Sequence, residues 1–308
     1  MLVFSMTRDW GVGVFWGKFA SQFASQTELG DEISPLLKIC LFFTAWLGVW
    51  VPILVPLAWR WRWYPSRPLT PPQKLILVGS LYLLFPLPLW GLTELTGVSF
   101  WPYSSLIGPQ GLSWLSLGLG MGILSVMILV AVQRLAGWVS WTLNWTARDG
   151  LGQFLLALVL GIWIAGVEEF IFRGLLQQEL QREWSVWYAA SLTSVIFALL
   201  HLVWQPRQTL PQLPGLWLMG MVLTQACLIG DGSLSLAWGL HGGWVCAMIW
   251  LDCCDASEPT GTVPPWVTGV GGQPLAGIVG LVLLAMVGGL LWLRPFWWFA
   301  VNGSVSGG

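Results

Sequence analysis

The sequence predicts an all-α fold, a polytopic membrane helix bundle of about eight transmembrane helices. Of its 308 residues, 56% are hydrophobic and only 9% are charged, whereas a soluble domain carries about 25% charged residues. The apolar residues are gathered in runs of about 20, the length of helix that spans the hydrocarbon of a bilayer. Many of the 25 Trp lie near the ends of these runs, where amphipathic rings prefer the membrane interface. We therefore expect an integral, multi-pass protein of the lipid bilayer, in a membrane that the sequence does not identify.

Eight apolar runs define the predicted spans. They cover residues 35–59, 73–93, 112–133, 150–171, 186–204, 213–230, 234–251 and 275–293. The fourth run is followed by polar residues, among them Gln177, Glu179 and Arg182. We therefore expect its helix to continue beyond the membrane surface as a polar helix.

The N-terminal segment and the overall charge limit the classes of function. Phe15, Phe19 and Phe23 recur at helical spacing before the first span, which fits a short interfacial helix as well as a disordered lead-in. The first residues lack the charged region, apolar core and cleavage site of a removable signal peptide, so none is expected. The net charge of −1, without a face of clustered Lys and Arg, argues against nucleic acid as a partner.

Ionisable residues divide the chain into three predicted regions. Residues 1–149 contain three spans with almost no ionisable side chains and form an N-terminal membrane scaffold. Residues 150–251 contain every candidate for chemistry. Residues 252–308 comprise an acidic loop, the last span and a polar tail. The loop is long enough to cover the mouth of a cavity.

The fourth span contains two adjacent acids, Glu168 and Glu169, followed by Arg173. Adjacent helical residues are about 100° apart, so the two carboxylates point in different directions and are expected to do different jobs. Glu169 and Arg173 have the i,i+4 spacing at which a carboxylate meets a guanidinium, which predicts an orienting ion pair. Glu168 has no such local counter-charge and is the candidate for general acid–base chemistry.

The two histidines of the chain, His201 and His241, lie in the fifth and seventh spans. Three glycines surround His241 in sequence, namely Gly239, Gly242 and Gly243, and they allow another backbone or a substrate to approach closely. Two imidazoles and the Glu168 carboxylate from three helices suit a cluster that activates water and stabilises an oxyanion. The same three residues also suit a three-ligand zinc site.

Each of these residues also has a structural interpretation. A histidine in a membrane helix is often a packing or hydrogen-bonding residue, and an i,i+4 Glu–Arg pair often has only a structural role. Ionisable groups in spans are costly, however, and are commonly functional. Their joint occurrence in one half of the chain favours a buried active site.

The order and spacing of these residues resemble a known family. Glu168-Glu169-x-x-x-Arg173, then Phe197-x-x-x-His201, then His241 in a glycine-rich helix is similar to the CPBP family of intramembrane proteases. This family, also called the Abi or CAAX-protease-and-bacteriocin-processing family, includes type II CAAX prenyl endopeptidases of the Rce1 type. The similarity covers about residues 150–251, which makes this region the predicted CPBP-like catalytic core.

The resemblance implies a role for each matched residue. Glu168 and His201 would activate a water for attack on a peptide carbonyl, and His241 would support the oxyanion. Many members carry an Asn or Asp four residues after this histidine, but here the position is Val245. This departure removes one expected donor, and losing such a donor costs about 10²- to 10³-fold in rate. Gln225 or a backbone N–H is a candidate substitute.

The predicted function is therefore an intramembrane endopeptidase that cleaves a peptide or protein substrate at or within the bilayer. The resemblance adds a CAAX-type C-terminus as a candidate substrate. We favour a metal-free reaction, because the His-Glu-x-x-His pattern that places zinc ligands on one helical face is missing; a zinc ion on Glu168, His201 and His241 is the alternative. The competing functions are an inactive pseudoprotease serving as a membrane adaptor or immunity factor, and a proton-coupled transporter.

Overall fold

The computed structural model describes residues 34–64, 67, 69–96, 109–140, 147–203, 205–230, 233–254 and 258–293. The first helices are α1 (Pro35–Trp61), α2 (Pro71–Leu84), α3 (Pro86–Thr96) and α4 (Pro109–Leu135). The later helices are α5 (Ala147–Glu169), α6 (Gln177–Leu180), α7 (Val186–Leu200), α8 (Pro206–Thr209), α9 (Leu213–Ile229), α10 (Ser235–Cys253), α11 (Pro265–Thr268) and α12 (Ile278–Trp292). A π-helix, Phe170–Leu176, joins α5 to α6. Short 3-10 helices cover His201–Val203, Leu210–Gln212, Val270–Gly272 and Pro274–Ala276.

The predicted all-α membrane bundle is confirmed, and each of the eight apolar runs contains a helix. Among the described residues, six helical stretches are long and apolar enough to cross a membrane by length and composition. The other two runs form α10, which carries His241 and three glycines of low hydropathy, and α12, which is apolar but only 15 residues long. The predicted number of eight spans is therefore approximate.

Two predicted spans differ from a simple α-helix. The second is interrupted at Phe85, and Pro86 begins the next helix because proline lacks an N–H and clashes with the preceding turn. The fourth changes to π-helix directly after Glu169 and ends at Leu180. Gln177 and Glu179 in its final part are buried, so this extension packs inside the protein and does not project as a polar helix into solvent.

The α10 helix lies in close backbone contact with α4 and α5. A Cβ atom added at Gly239 would collide with the Leu115 carbonyl of α4, and one added at Gly243 would collide with the carbonyl of Leu119. On the other side, an added Cβ at Gly242 would lie 3.4 Å from the Gly161 carbonyl oxygen of α5. The expected close approach at these glycines is therefore present. It holds α10, and with it His241, against α4 and α5.

The N-terminal helices are attached to the later bundle by buried polar contacts. The Trp46 indole of α1 donates to the Leu81 carbonyl of α2 at 3.0 Å. Lys38 of α1 lies 3.5 Å from Glu179 of α6, and both side chains are almost completely buried. Phe85, which follows α2, meets Phe170 at the start of the π-helix edge to face, so this end of α2 lies beside the end of α5.

The acidic loop folds back onto the helices. Strand β1 (Val139–Ser140) pairs antiparallel with β2 (Glu258–Pro259). Asp252 still belongs to α10, and the loop ends in the 3-10 helix before α12. Two parts of the sequence-based interpretation lie outside the described residues, namely the segment with Phe15, Phe19 and Phe23, and the polar tail.

Candidate active site

Glu168 and Glu169 occupy the last turn of α5, directly before the π-helix. Glu168 is buried and Glu169 is completely buried. They leave the helix in different directions, yet both reach the ring of His241. Oε1 of Glu169 lies 2.7 Å from Nδ1 of His241, and Oε2 of Glu168 lies 3.5 Å from Nε2. His241 thus lies between the two acids, a relationship that helical spacing alone does not show.

Arg173 holds Glu169 from the other side. Its Nη1 donates to Glu169 Oε1 at 3.0 Å, as the i,i+4 spacing predicts, and Nη2 donates to the Gly220 carbonyl of α9 at 3.1 Å. The guanidinium carbon lies 5.2 Å from the centre of the Phe197 ring, within the range of a cation–π interaction. Arg173 therefore connects the end of α5 to α7 and α9.

His201 lies directly after α7, at the start of a 3-10 turn. Its Nδ1 is 2.8 Å from the Phe197 carbonyl oxygen. A carbonyl oxygen only accepts, so Nδ1 carries the proton and Nε2 of a neutral ring is left as an acceptor. Phe197 itself is fully buried, with its ring centre 4.5 Å from that of His201 and 6.0 Å from that of His241. The Phe-x-x-x-His spacing thus fixes the tautomer and the position of His201.

A cavity of about 300 Å³ brings three candidate residues together. Glu168, His201 and His241 line it, whereas Glu169 and Arg173 are not among its lining residues. Apolar side chains from α4, α9, α10 and α12 form most of the wall. Gln273, from the end of the acidic loop, also contributes to it. Glu168, His201 and His241 therefore line the cavity, whereas Glu169 and Arg173 form a buried pair behind His241.

Val245 also lines the cavity, one helical turn after His241. The side-chain amide of Gln225 donates to the Gly288 carbonyl of α12 at 3.0 Å, and Gln225 is not among the lining residues. Two other glutamines, Gln212 and Gln273, do line the cavity. The side-chain amides at this wall therefore belong to Gln212 and Gln273, and not to Gln225, the candidate considered from the sequence.

Tyr82 is a residue of the site that the sequence interpretation missed. Its hydroxyl donates to Oε1 of Glu168, and its ring meets Trp163 of α5 edge to face at 6.2 Å. Tyr82 belongs to α2, in the region predicted to be scaffold. The available signal was a tyrosine within an apolar span, in a chain with only four tyrosines.

Each of the three cavity-lining residues has a protein partner at one of its polar atoms. Among the described residues, no three His, Cys, Asp or Glu side chains are placed to hold a metal ion. Nδ1 of His201 faces Phe197, Nδ1 of His241 faces Glu169, and Oε1 of Glu168 faces Tyr82.

The apolar helices around a buried acid–histidine cluster define an integral, multi-pass membrane protein. Residues 150–247 match the family model described as Type II CAAX prenyl endopeptidase Rce1-like. The match confirms the resemblance seen in the motifs, and it supports an intramembrane protease of the CAAX type in general. It includes all six motif residues named from the sequence and excludes Tyr82. Neither curated proteins nor solved structures gave a match.

Proposed function

We propose that this protein is an intramembrane endopeptidase that hydrolyses a peptide bond with a water activated by Glu168 and His201. The observation that carries the proposal is the convergence of Glu168, His201 and His241 on one largely apolar cavity. Burying three such groups together is costly, and a site that uses them for chemistry accounts for that cost.

Glu168 is the proposed general base. It removes a proton from water as the oxygen attacks the carbonyl carbon of the peptide, and it then delivers that proton to the leaving nitrogen as the C–N bond breaks. His201 accepts a hydrogen bond from the same water at Nε2, because its Nδ1 is occupied by the Phe197 carbonyl. A positioned base of this kind contributes about 10²- to 10⁴-fold in rate.

His241 is the proposed oxyanion stabiliser. Its Nδ1 faces Oε1 of Glu169, and its Nε2 faces Oε2 of Glu168. The two carboxylates and Arg173 leave one net negative charge in the cluster, which a protonated His241 neutralises. In that state both ring nitrogens donate, one to Glu169 and one to the negative oxygen that forms during the reaction. Glu169 and Arg173 are then an orienting pair.

The proposed substrate is a peptide or protein in the membrane. The apolar wall of the cavity favours an apolar segment, and the family match makes a CAAX-type C-terminus the first substrate to examine. The reaction needs no metal in this scheme, so cleavage should continue in the presence of a zinc chelator. Loss of cleavage on chelation, with recovery on adding zinc, would contradict this part of the proposal.

A second candidate function is a membrane adaptor that has kept the bundle and lost activity. Val245 favours it, since an apolar side chain lies on the cavity wall where related proteases place an amide or a carboxyl. The adaptor predicts that no peptide is cleaved by the unaltered protein.

The test uses the full chain purified and reconstituted in liposomes. The probes are a prenylated peptide ending in a CAAX sequence, the same peptide without the prenyl group, and an apolar membrane-spanning peptide, with products identified by mass spectrometry. We expect cleavage of at least one peptide and a loss of about 10²-fold or more in Glu168→Gln. The matched control is Glu183→Gln, at an exposed position, which should cleave normally. Full activity in folded Glu168→Gln would overturn the assignment.

A further inference from the structure

Tyr82 lies outside the matched family segment, yet its hydroxyl contacts the proposed general base. An ionised carboxylate only accepts hydrogen bonds, so the phenol is the donor. The contact occupies Oε1 of Glu168. The other oxygen, Oε2, lies 3.5 Å from Nε2 of His241. The two oxygens of Glu168 therefore have different partners.

The Tyr82 side chain packs against α5, and the backbone beside it is hydrogen-bonded to α1. Its ring packs edge to face on Trp163, which lies on α5 before Glu168. The carbonyl of the preceding residue, Leu81, accepts the hydrogen bond of the Trp46 indole at 3.0 Å. Tyr82 is consequently fixed both to the helix that carries Glu168 and to α1. It is not among the residues that line the cavity.

We propose that Tyr82 is a positioning residue that holds one oxygen of Glu168 and so directs the other toward His241 and the cavity. This inference rests on the proposed function, because it assigns a task to Tyr82 through the general base. A carboxylate without such a donor can rotate about its terminal torsion, which is broad. The hydroxyl of Tyr82 removes that freedom, and the N-terminal helices thereby contribute to the chemistry of the core.

The Tyr82→Phe variant removes the donor and keeps the ring against Trp163. A hydrogen bond to a charged group is worth enough to lower kcat by about 10- to 100-fold when it is lost. KM should stay unchanged, since Tyr82 does not line the cavity. The Glu168 carboxyl should also react several-fold faster with a hydrophobic carbodiimide, because the phenol no longer occupies one of its oxygens. The matched control, Tyr188→Phe, alters an exposed tyrosine of α7 and should change neither quantity.

The experiment measures kcat and KM on the cleaved peptide, the unfolding temperature, and carbodiimide labelling of Glu168 per folded molecule, with Glu168→Gln as the unlabelled reference. Lower kcat with constant KM and faster labelling supports the inference. Unchanged kcat and unchanged labelling would overturn it. A loss of activity that only follows a loss of folded protein, with unchanged labelling of Glu168, would overturn it as well. If the wild-type protein cleaves no peptide, the proposed function fails, and the labelling rate alone still decides whether Tyr82 controls Glu168.

Discussion

Nδ1 of His241 lies 2.7 Å from Oε1 of Glu169, an acid that is completely buried and does not line the cavity. The same oxygen accepts a hydrogen bond from Arg173 at 3.0 Å. The ring of His241 is thus fixed from behind, and its Nε2 is left facing Glu168. A histidine held at one nitrogen by a buried carboxylate, with the other nitrogen facing a second catalytic group, is an arrangement that recurs in hydrolytic enzymes.

The first prediction concerns Glu169→Gln. The amide keeps the size of the side chain but removes the charge that holds His241 and attracts Arg173. We expect kcat to fall by about 10²- to 10⁴-fold, as for loss of an orienting carboxylate elsewhere, with little change in KM. Steady-state kinetics on the cleaved peptide, with circular dichroism to verify helix content, provide the measurement. An unchanged kcat would show that Glu169 does not orient His241.

The second prediction concerns Arg173→Met. This change leaves Glu169 buried without its cation, and breaking a buried pair in this way costs about 3–5 kcal/mol. The matched control is Arg182→Met, because the Arg182 side chain is 44% exposed in its pair with Glu179 and an exposed pair contributes about 0–1 kcal/mol. The free energy of unfolding in mixed micelles compares the two. Equal destabilisation by both variants would show that the buried Glu169–Arg173 pair contributes no more to the free energy of unfolding than the exposed pair does.

The third prediction concerns Val245→Asn, which restores an amide one turn after His241. If the amide reaches the oxyanion, kcat should rise by up to about 10²-fold. Val245→Leu is the control, since it also changes the cavity wall but adds no donor. An increase confined to the Asn variant would show that the missing donor at position 245 limits the rate. Equal rates in Val245→Asn and Val245→Leu would show that the missing donor is supplied elsewhere.

The fourth prediction concerns Gly243→Ala. The added methyl group would collide with the Leu119 carbonyl and lie 2.9 Å from the Cα atom of Gly122. Overpacking of this kind costs about 1–3 kcal/mol. Gly120→Ala is the control on α4, because nothing lies within 4 Å of a Cβ added there. Thermal unfolding in detergent should separate the two variants, and equal stability would contradict the close packing of α10 on α4.

Local spacing predicted the parts of this site that lie on one helix. The Glu169–Arg173 pair follows from i,i+4 geometry, and the glycines around His241 indicated a close helix contact. The apolar runs likewise predicted the helices and the membrane class. These features depend on residues near one another in the chain, and periodicity reports such relationships directly.

Contacts between distant helices could not be predicted in this way. Tyr82 lies 86 residues before Glu168, and the contact of Glu169 with His241 joins positions 72 residues apart. Such pairs depend on how α2, α5 and α10 pack together, which a single sequence does not encode as a pattern. The change to π-helix after Glu169 could not be predicted either, because the order of its residues shows no preference for π-helix over α-helix.

The most direct test of the shared site is a comparison of Glu168→Gln, His201→Ala and the double variant, each measured for cleavage of the same peptide. If both residues act on one water, each single change lowers kcat by about 10²- to 10⁴-fold and the double change costs no more than the larger single loss. Losses that multiply in the double variant, or full activity in either single variant, would contradict a single cavity in which Glu168 and His201 work together.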